Sequence, residues 1–174
     1  MRFIQFYRGE IATDDGDYLN DIIHNWSYER MEGCHSYVQW VFPLMEGSMF
    51  HPEVPCLTLD EIKLFRSELE LRYKVMDAYV KMLDFYGIEM RSGFTVQFQE
   101  PGKHKNPIWW LKQFNHNFLR ITRILKSMRL LGFEYESLSL FKLLTDIRPD
   151  WPVISDNSYS YWKDAATGPL GCEP

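Results

Sequence analysis

Apolar residues recur every three or four positions in several stretches of this chain, and that is the period of an amphipathic α-helix. The first stretch covers Leu19 to Trp26 and follows carboxylates between Asp14 and Asp17 that suit a helix N-terminus. A second stretch begins after Ser27, a good capping residue, and stops before Pro43, which cannot continue a helix. The pattern therefore predicts two consecutive helices, the second over Tyr28 to Trp40.

The strongest helical pattern extends from Thr58 to Tyr86. Thr58 and Glu61 have the spacing of a capping box, in which each side chain bonds the other residue's backbone N–H. Gly87 provides a C-terminal stop. One long helix is predicted over this range, because its apolar residues keep a helical rhythm throughout.

The second half of the chain alternates between turn-rich and helical segments. Residues 89–105 combine the alternating string "FTVQF" with turn residues, which predicts a loop or a small β-hairpin. The pair Asn106–Pro107 is typical of a helix start and predicts a short helix over "PIWWLKQF". Further helices are predicted from Phe114 to Leu131, ended by Gly132, and from Ser137 to Ile147.

These elements predict an all-α fold, a single compact domain of about six helices with an irregular or small β-hairpin excursion near residues 89–105. The 174 residues and 45% hydrophobic content are enough to bury one sizeable core. The helical domain is expected to cover residues 1–150. Residues 151–174 show no helical period and contain prolines and glycines, so a short irregular tail is predicted there.

Composition narrows the function classes. A net charge of -5 argues against a protein that coats nucleic acid through bulk electrostatics. The start of the chain lacks the apolar core of a signal peptide, and no run of about 18 apolar residues occurs. The three cysteines are too few and too far apart for a disulfide framework or a paired zinc site. A soluble, intracellular protein is expected, cytoplasmic or, in a eukaryote, nuclear.

Positive charge is concentrated in one segment. Between Pro101 and Phe133 there are seven Lys or Arg residues and no Asp or Glu. Arg120, Arg123 and Lys126 recur three residues apart, so they share one face of the predicted helix. This face could be solvated, could pair with acidic helices, or could bind an anion through its arginines. A nucleic-acid interface over residues 103–129 is the alternative, which the acidity of the whole chain makes unlikely.

Two groups of polar and aromatic side chains are the candidate ligand site. The first group shares the second predicted helix, and the second surrounds the start of the helix after residue 114. The predicted ligand-binding residues are Glu32, His35, Gln39, Trp40, Asn115, His116, Arg120 and Arg123. The same residues could instead form a structural ion-pair network, with the aromatic side chain in the core, and that alternative stays open.

Catalysis and metal binding have weaker support in the sequence. No GxSxG, HExxH or phosphate-binding glycine loop is present, and the histidines and cysteines lack metal-ligand spacing. No catalytic residue, metal site or cofactor is therefore predicted. An enzyme centred on His35 or His116 is kept as a second alternative, because catalytic groups assemble in space rather than in sequence.

Three blocks of the sequence carry a family resemblance. They run from His24 to Phe65, from Met82 to Met90 and from Asn115 to Ser137, and they include the strings "YVQWVFP" and "NHNFLRITRILKS". In order and spacing these blocks resemble the conserved region of the opioid growth factor receptor family. The resemblance spans roughly Leu19 to Leu144.

The resemblance implies a mainly helical intracellular domain and supplies no catalytic residues to carry over. The vertebrate receptor of this family binds the pentapeptide Met-enkephalin, is associated with the nucleus and restrains cell proliferation. A non-enzymatic binding or signalling module is therefore expected, whose partner is an enkephalin-like peptide, a small anionic ligand or another protein. The family supplies no map of ligand contacts that could be carried over to this chain.

Overall fold

The computed structural model describes residues 1–49, 51–100, 102, 109–112 and 115–171. Within these ranges it contains nine α-helices and one two-stranded antiparallel sheet, so the predicted all-α class with a small hairpin is confirmed. The helices are α1 (Arg2–Arg8), α2 (Leu19–His24), α3 (Tyr28–Gly33), α4 (Tyr37–Val41), α5 (Leu59–Ser67), α6 (Leu69–Phe85), α7 (Asn117–Leu130), α8 (Glu134–Ile147) and α9 (Asp156–Thr167). Strands β1 (Ile88–Met90) and β2 (Val96–Phe98) form the hairpin.

Contacts between Cα atoms divide the chain into two units, Met1–Lys81 and Met82–Pro174. We call them the amino-terminal unit and the carboxy-terminal unit and describe each by itself. No helix in the described part of the chain has both the length and the apolar character needed to cross a lipid bilayer.

Helix α1 opens the amino-terminal unit and has no counterpart in the predicted elements. Four of its seven residues are buried: Phe3, Ile4, Phe6 and Tyr7. A helix this short is not stable on its own, so packing of these side chains stabilises it. The Tyr7 hydroxyl donates to the Val41 carbonyl at 2.5 Å. Burial raises the pKa of the Tyr7 phenol well above its ordinary value.

The predicted capping box at the start of α5 is present. The Thr58 hydroxyl accepts a hydrogen bond from the Glu61 backbone N–H, and the Glu61 carboxylate accepts one from the Thr58 backbone N–H. The other Glu61 carboxylate oxygen accepts from the backbone N–H of Phe3 at 3.1 Å. One buried carboxylate therefore joins the first turns of α1 and α5.

Two predicted helices are each broken by one extended residue. Cys34 has φ -95° and ψ 131°, which separates α3 from α4 after Gly33, a poor helix former. Glu68 has φ -89° and ψ 117° and separates α5 from α6. The Glu68 carboxylate accepts two hydrogen bonds from Arg8, a contact between distant residues that a local pattern cannot show. The predictions of one helix over residues 28–40 and one over 58–86 were therefore wrong.

In the carboxy-terminal unit, α7, α8 and α9 pack against one another. The Ser137 hydroxyl of α8 donates to the Leu125 carbonyl of α7 at 2.8 Å. The Trp162 indole N–H of α9 donates to the Phe118 carbonyl at 3.0 Å, and the two rings meet edge to face. Gly132 adopts φ 86° after α7, as its predicted role at the helix end requires.

Helix α9 corrects the predicted irregular tail over residues 151–174. Ser155 caps the helix by accepting from the Ser158 N–H, and Trp162, Ala165 and Ala166 are buried. These residues follow one another at helical spacing and pack against the unit, a pattern that the prolines and glycines on either side obscured in the sequence. The prediction of irregular chain was therefore wrong for Asp156–Thr167.

The predicted "PIWWLKQF" helix falls partly outside the described residues, which exclude 107, 108, 113 and 114. The described residues Trp109 to Lys112 form a turn and a bend instead of a helix. Trp109 and Trp110 donate their indole N–H groups to the carbonyls of Phe85 and Tyr86. Trp110 is buried and Trp109 is half-buried.

Candidate functional site

A groove of about 760 Å³ lies in the amino-terminal unit. Its walls come from the loop after α1, the connection between α3 and α4, and the segment between α4 and α5. Connecting segments often carry binding residues, because their side chains are positioned by the helices without belonging to a packed face. The charged and titratable side chains that line it are Asp14, Asp15, Arg30, His35, His51 and Glu53. We call this cavity the Asp15 groove.

The carboxylates of the groove are held by neighbouring side chains. Asp14 accepts a hydrogen bond from the Arg2 guanidinium at 3.1 Å. Asp15 accepts a short hydrogen bond from the Ser36 hydroxyl, and the Cys34 sulfur lies 3.4 Å from the same hydroxyl oxygen. A carboxylate can accept about four hydrogen bonds, so each of these still has acceptor capacity for a ligand.

Glu53 and His51 form a pair at the other side of the groove. The His51 Nδ1 atom lies 3.0 Å from a Glu53 carboxylate oxygen. The pKa of Glu53 is held below its ordinary value, first by a hydrogen bond from its own backbone and then by His51. Glu53 is therefore negatively charged at neutral pH.

Arg30 lines the groove, but its guanidinium interacts with other side chains. Its guanidinium lies 2.6 Å from the Asp17 carboxylate and stacks 4.2 Å above the centre of the Trp26 ring. With Arg30 paired with Asp17 and Asp14 paired with Arg2, Asp15 and Glu53 carry the negative charge of the lining. The groove therefore favours a cationic group over an anionic one.

Two of the predicted ligand-binding residues line the groove. His35 is exposed, and Trp40 is buried at the groove wall, with the Arg2 guanidinium 4.8 Å from its ring centre. Glu32 and Gln39 belong to the same unit but lie outside the lining, because the break at Cys34 removes the shared helix face on which they were predicted.

The other predicted residues lie around a buried polar cluster in the carboxy-terminal unit. The Asn117 amide oxygen accepts hydrogen bonds from the Tyr86 hydroxyl at 3.1 Å and from Arg120 Nη1 at 3.2 Å. The Asn115 amide oxygen accepts from the backbone and side-chain N–H groups of Asn117, both at 2.8 Å. We call these four residues the Asn117 network.

The Asn117 network shows that one of the two predicted arginines, Arg120, makes a structural contact. Arg120 is only 6% exposed and Asn117 is fully buried, so this guanidinium satisfies a buried acceptor. The Asn115 amide oxygen accepts a hydrogen bond from the first N–H of α7. His116 and Arg123 are half-buried and make contacts of their own. The two predicted groups belong to different units, and binding of one ligand by both stays a prediction.

The basic segment is only partly described. Lys103 and Lys105 lie outside the described residues. Arg129 donates to the carbonyls of Ala165 and Gly168, both at 2.8 Å, and thereby satisfies carbonyls at the C-terminal end of α9. Arg129 therefore has a structural use, which reduces the charge that this segment offers to phosphates.

Sequence reasoning missed Asp14, Asp15, His51 and Glu53. The first two had been interpreted only as carboxylates before a helix, and the last two lie in the connection "MFHPEVP", which has no period. These four residues come together only because the two connections lie side by side in the fold, and no local sequence pattern predicts that. Within the described residues, no three or more His, Cys, Asp or Glu side chains are grouped so that they could hold a metal ion.

The chain is similar to known proteins over most of its length. Residues 1–166 match the family described as the opioid growth factor receptor (OGFr) conserved region, a range that reaches into α9. The chain is 34% identical over 165 residues to the opioid growth factor receptor of Homo sapiens, and the match covers 91% of this chain and 24% of that protein. No solved structure matches.

Two further relatives agree. The opioid growth factor receptor of Mus musculus is 35% identical over 170 residues, with 91% of this chain and 26% of that protein covered. Opioid growth factor receptor-like protein 1 of Xenopus tropicalis is 38% identical over 144 residues, covering 80% of this chain and 28% of that protein. The chain thus spans about a quarter of the length of these relatives. It belongs to the opioid growth factor receptor family, whose conserved region occupies most of its length.

Proposed function

We propose that this chain is a non-enzymatic peptide-binding module and that the Asp15 groove holds the positively charged end of the peptide. The single observation that supports this most directly is a cavity of about 760 Å³ whose lining contains three carboxylates. That volume falls in the range of about 300–1,000 Å³ typical of ligand pockets.

The charge of the groove selects among the expected ligands. Asp15 and Glu53 face a cavity in which Arg30 is already paired with Asp17 and Asp14 with Arg2. A peptide ammonium group or a basic side chain complements this arrangement, whereas a small anion would be repelled. The small anionic ligand considered from the sequence is therefore not favoured at this groove.

The family supports a peptide as the ligand class. Several relatives are named receptors for an opioid growth factor, and an N-terminal ammonium is present on any unblocked peptide. Because the chain covers only about a quarter of those relatives, what they bind as whole proteins is extended to this chain as part of the proposal.

The hydrogen bonding in the groove supports binding rather than catalysis. The Ser36 hydroxyl donates to Asp15, and His51 is paired with Glu53. A serine nucleophile would instead donate to a histidine base. Peptide recovered after long incubation with the protein should therefore have an unchanged mass, and cleavage would overturn the non-enzymatic part of the proposal.

An intracellular location belongs to the same proposal. Neither Cys34 nor Cys56 forms a disulfide, which suits a reducing compartment. Subcellular fractionation with an epitope-tagged chain tests this, and recovery in the medium would contradict it.

Isothermal titration with Met-enkephalin and with its N-acetylated form tests the binding. The groove variants Asp15→Asn and Glu53→Gln should each weaken binding of the unblocked peptide on the order of tenfold, because each removes one charge from the lining. Asp60→Asn is the matched control, since Asp60 is an exposed carboxylate of the same unit outside the groove. It should leave the affinity unchanged.

The outcomes separate the parts of the proposal. No binding of any peptide in a panel of varied sequence would refute the function. Equal affinity for the acetylated peptide would refute recognition of the amino terminus. Binding that is lost in Arg123→Ala and retained in both groove variants would place the site in the carboxy-terminal unit, as the sequence predicted. Circular dichroism of every variant shows whether the fold is retained.

A further inference from the structure

The two carboxylates that carry the negative charge of the Asp15 groove influence each other. The pKa of Glu53 is lowered first by a hydrogen bond from its own backbone and then by His51, while the Asp15 carboxylate acts in the opposite direction. That opposing effect is what a nearby like charge produces. A single cation beside Asp15 and Glu53 therefore relieves their repulsion, and a peptide ammonium is such a cation.

A short turn holds Glu53 beside a second group that can become a cation, the His51 imidazole. The Val54 backbone N–H donates to the His51 carbonyl at 3.2 Å, and the His51 backbone N–H donates to the Ser48 hydroxyl at 3.2 Å. Val54 is buried and anchors the turn. Within the turn, His51 Nδ1 lies 3.0 Å from a Glu53 carboxylate oxygen. The imidazole is thus held at a carboxylate that the peptide ammonium needs.

Protonation of the imidazole changes the charge of this pair. A histidine side chain in ordinary surroundings gains or loses its charge between about pH 5 and pH 8. Glu53 stays ionised in that range, because its pKa is held below the ordinary value. With a neutral imidazole the His51–Glu53 pair carries one negative charge, whereas with an imidazolium it carries none. Protonation of His51 therefore weakens the attraction of the groove for any other cation.

The rest of the described lining separates into groups that can and cannot compete in this way. Besides Asp15, His51 and Glu53, the titratable or charged side chains of the lining are Asp14, Arg30, Cys34 and His35. Arg30 keeps its charge at every pH considered, and it is paired with Asp17, as Asp14 is with Arg2. Carboxyl and thiol groups become neutral on protonation and never positive. His35 is therefore the one alternative in the described lining that an experiment has to separate from His51.

We propose that His51 is a pH-dependent competitor of the peptide ammonium in the Asp15 groove, so that its protonation releases the charged end of the ligand and its deprotonation admits it. This inference rests on the proposed function and adds regulation of the same site. The side chains of His51 and Glu53 are 21% and 50% exposed, so solvent screening keeps the effect modest. Affinity for an unblocked peptide should fall about fivefold from pH 7.0 to pH 5.5.

Isothermal titration of the full chain with Met-enkephalin at about pH 7.0 and about pH 5.5 measures this fall. A peptide α-amino group, with an ordinary pKa of about 7.7–8.0, stays mostly protonated over that range, so titration of the ligand contributes little. The N-acetylated peptide has no ammonium group, and its affinity should not fall. His51→Asn keeps a side-chain amide near the position of Nδ1 but cannot become a cation, so its affinity at the two pH values should be the same.

Two matched variants separate His51 from other histidines of the same unit. His24 is exposed and lies outside the groove lining, so His24→Asn should keep the fivefold fall. His35→Asn alters the other histidine of the lining and should also keep most of it. Circular dichroism at both pH values checks the fold of each variant, and His51→Gln replaces His51→Asn if that variant unfolds.

The outcomes distinguish this inference from the function on which it rests. No binding at either pH would refute the proposed function itself. Binding of equal affinity at both pH values would overturn the inference and leave the proposed function standing. A fall that persists in the His51 variant, or that disappears in His35→Asn, would likewise overturn the role of His51.

Discussion

The Glu61 carboxylate provides the sharpest test of how the amino-terminal unit is held together. It is 2% exposed and accepts three hydrogen bonds, from the Phe3 backbone N–H at 3.1 Å, the Thr58 backbone N–H at 3.1 Å and the Thr58 hydroxyl at 2.9 Å. It therefore closes the first turn of α5 and satisfies an N–H group of α1, two helices that are far apart in sequence. Glu61→Ala removes both functions at once.

The expected cost follows from the partners that the substitution leaves behind. The Phe3 N–H is buried, so without its acceptor it pays the desolvation penalty of about 1–3 kcal/mol. Thr58 is exposed and can turn to water, so loss of the capping box adds about 1 kcal/mol. Together these give about 2–4 kcal/mol of lost stability. Glu61→Gln keeps the shape and one good acceptor and should cost less than half as much.

Urea denaturation followed by far-ultraviolet circular dichroism measures the free energy of unfolding. Asp60→Ala is the matched control, because Asp60 precedes Glu61 on α5 but is exposed and pairs with the exposed Lys63. Its cost should stay within about 0.5 kcal/mol. If Glu61→Ala costs no more than Asp60→Ala, the buried carboxylate does not join the two helices in the way described.

Three further predictions concern single buried polar groups, each measured by the same unfolding assay. Ser127 and Ser137 are both fully buried, but only the Ser137 hydroxyl has a hydrogen-bond partner among the described residues. Ser127→Ala should therefore be neutral or stabilising, whereas Ser137→Ala should lower the free energy of unfolding by about 1 kcal/mol. Equal costs for the two substitutions would contradict this. Burial raises the pKa of the Tyr7 phenol above 10.0, so its contribution to the free energy of unfolding is complete below pH 10 and is lost as the pH rises further. Tyr7→Phe should therefore make stability fall less steeply with pH above 10. An unchanged slope of stability against pH would refute the assignment to Tyr7. Tyr86→Phe and Arg120→Met each remove a hydrogen-bond donor to the Asn117 amide oxygen, so a double-mutant cycle should give a coupling energy of at least about 0.5 kcal/mol. Strictly additive costs would show that the two donors are not coupled through Asn117.

The sequence predicted what depends on neighbours along the chain. The capping box at Thr58, the cap at Ser27 and the glycine after α7 are all where they were expected, because each is set by residues a few positions apart. The hairpin near residues 89–105 is also present. The all-α class follows from such local signals, since helical period and helix ends are both read within short windows.

What the sequence did not predict depends on contacts between distant residues. Helix α1 is short and gains its stability from burial and from Glu61, which lies 58 positions away from Phe3. At the break between α5 and α6, the Glu68 carboxylate accepts hydrogen bonds from Arg8, which lies 60 positions away in sequence. Helix α9 gains its order from Trp162 and from the Arg129 guanidinium at its C-terminal end.

In the candidate site, too, the sequence predicted residues that lie close together along the chain and missed those that only the fold brings together. His35 and Trp40 were predicted because they share a short polar and aromatic segment, and both line the Asp15 groove. The four missed residues come from two separate connections that have no sequence period. Ionisable residues on such connections can be recognised as a site only once the fold brings them to one cavity.

Three positions in the most specific string of the family resemblance, Asn115 to Ser127, now have a physical explanation that needs no ligand. Asn115 bonds the first N–H of α7, Asn117 is fully buried, and Arg120 supplies a donor to its amide oxygen. Each position has a demanding environment, because a buried amide tolerates few substitutes that satisfy both its oxygen and its N–H groups. The fold alone therefore accounts for these three positions, and a test of ligand binding should begin at the loop carboxylates of the groove.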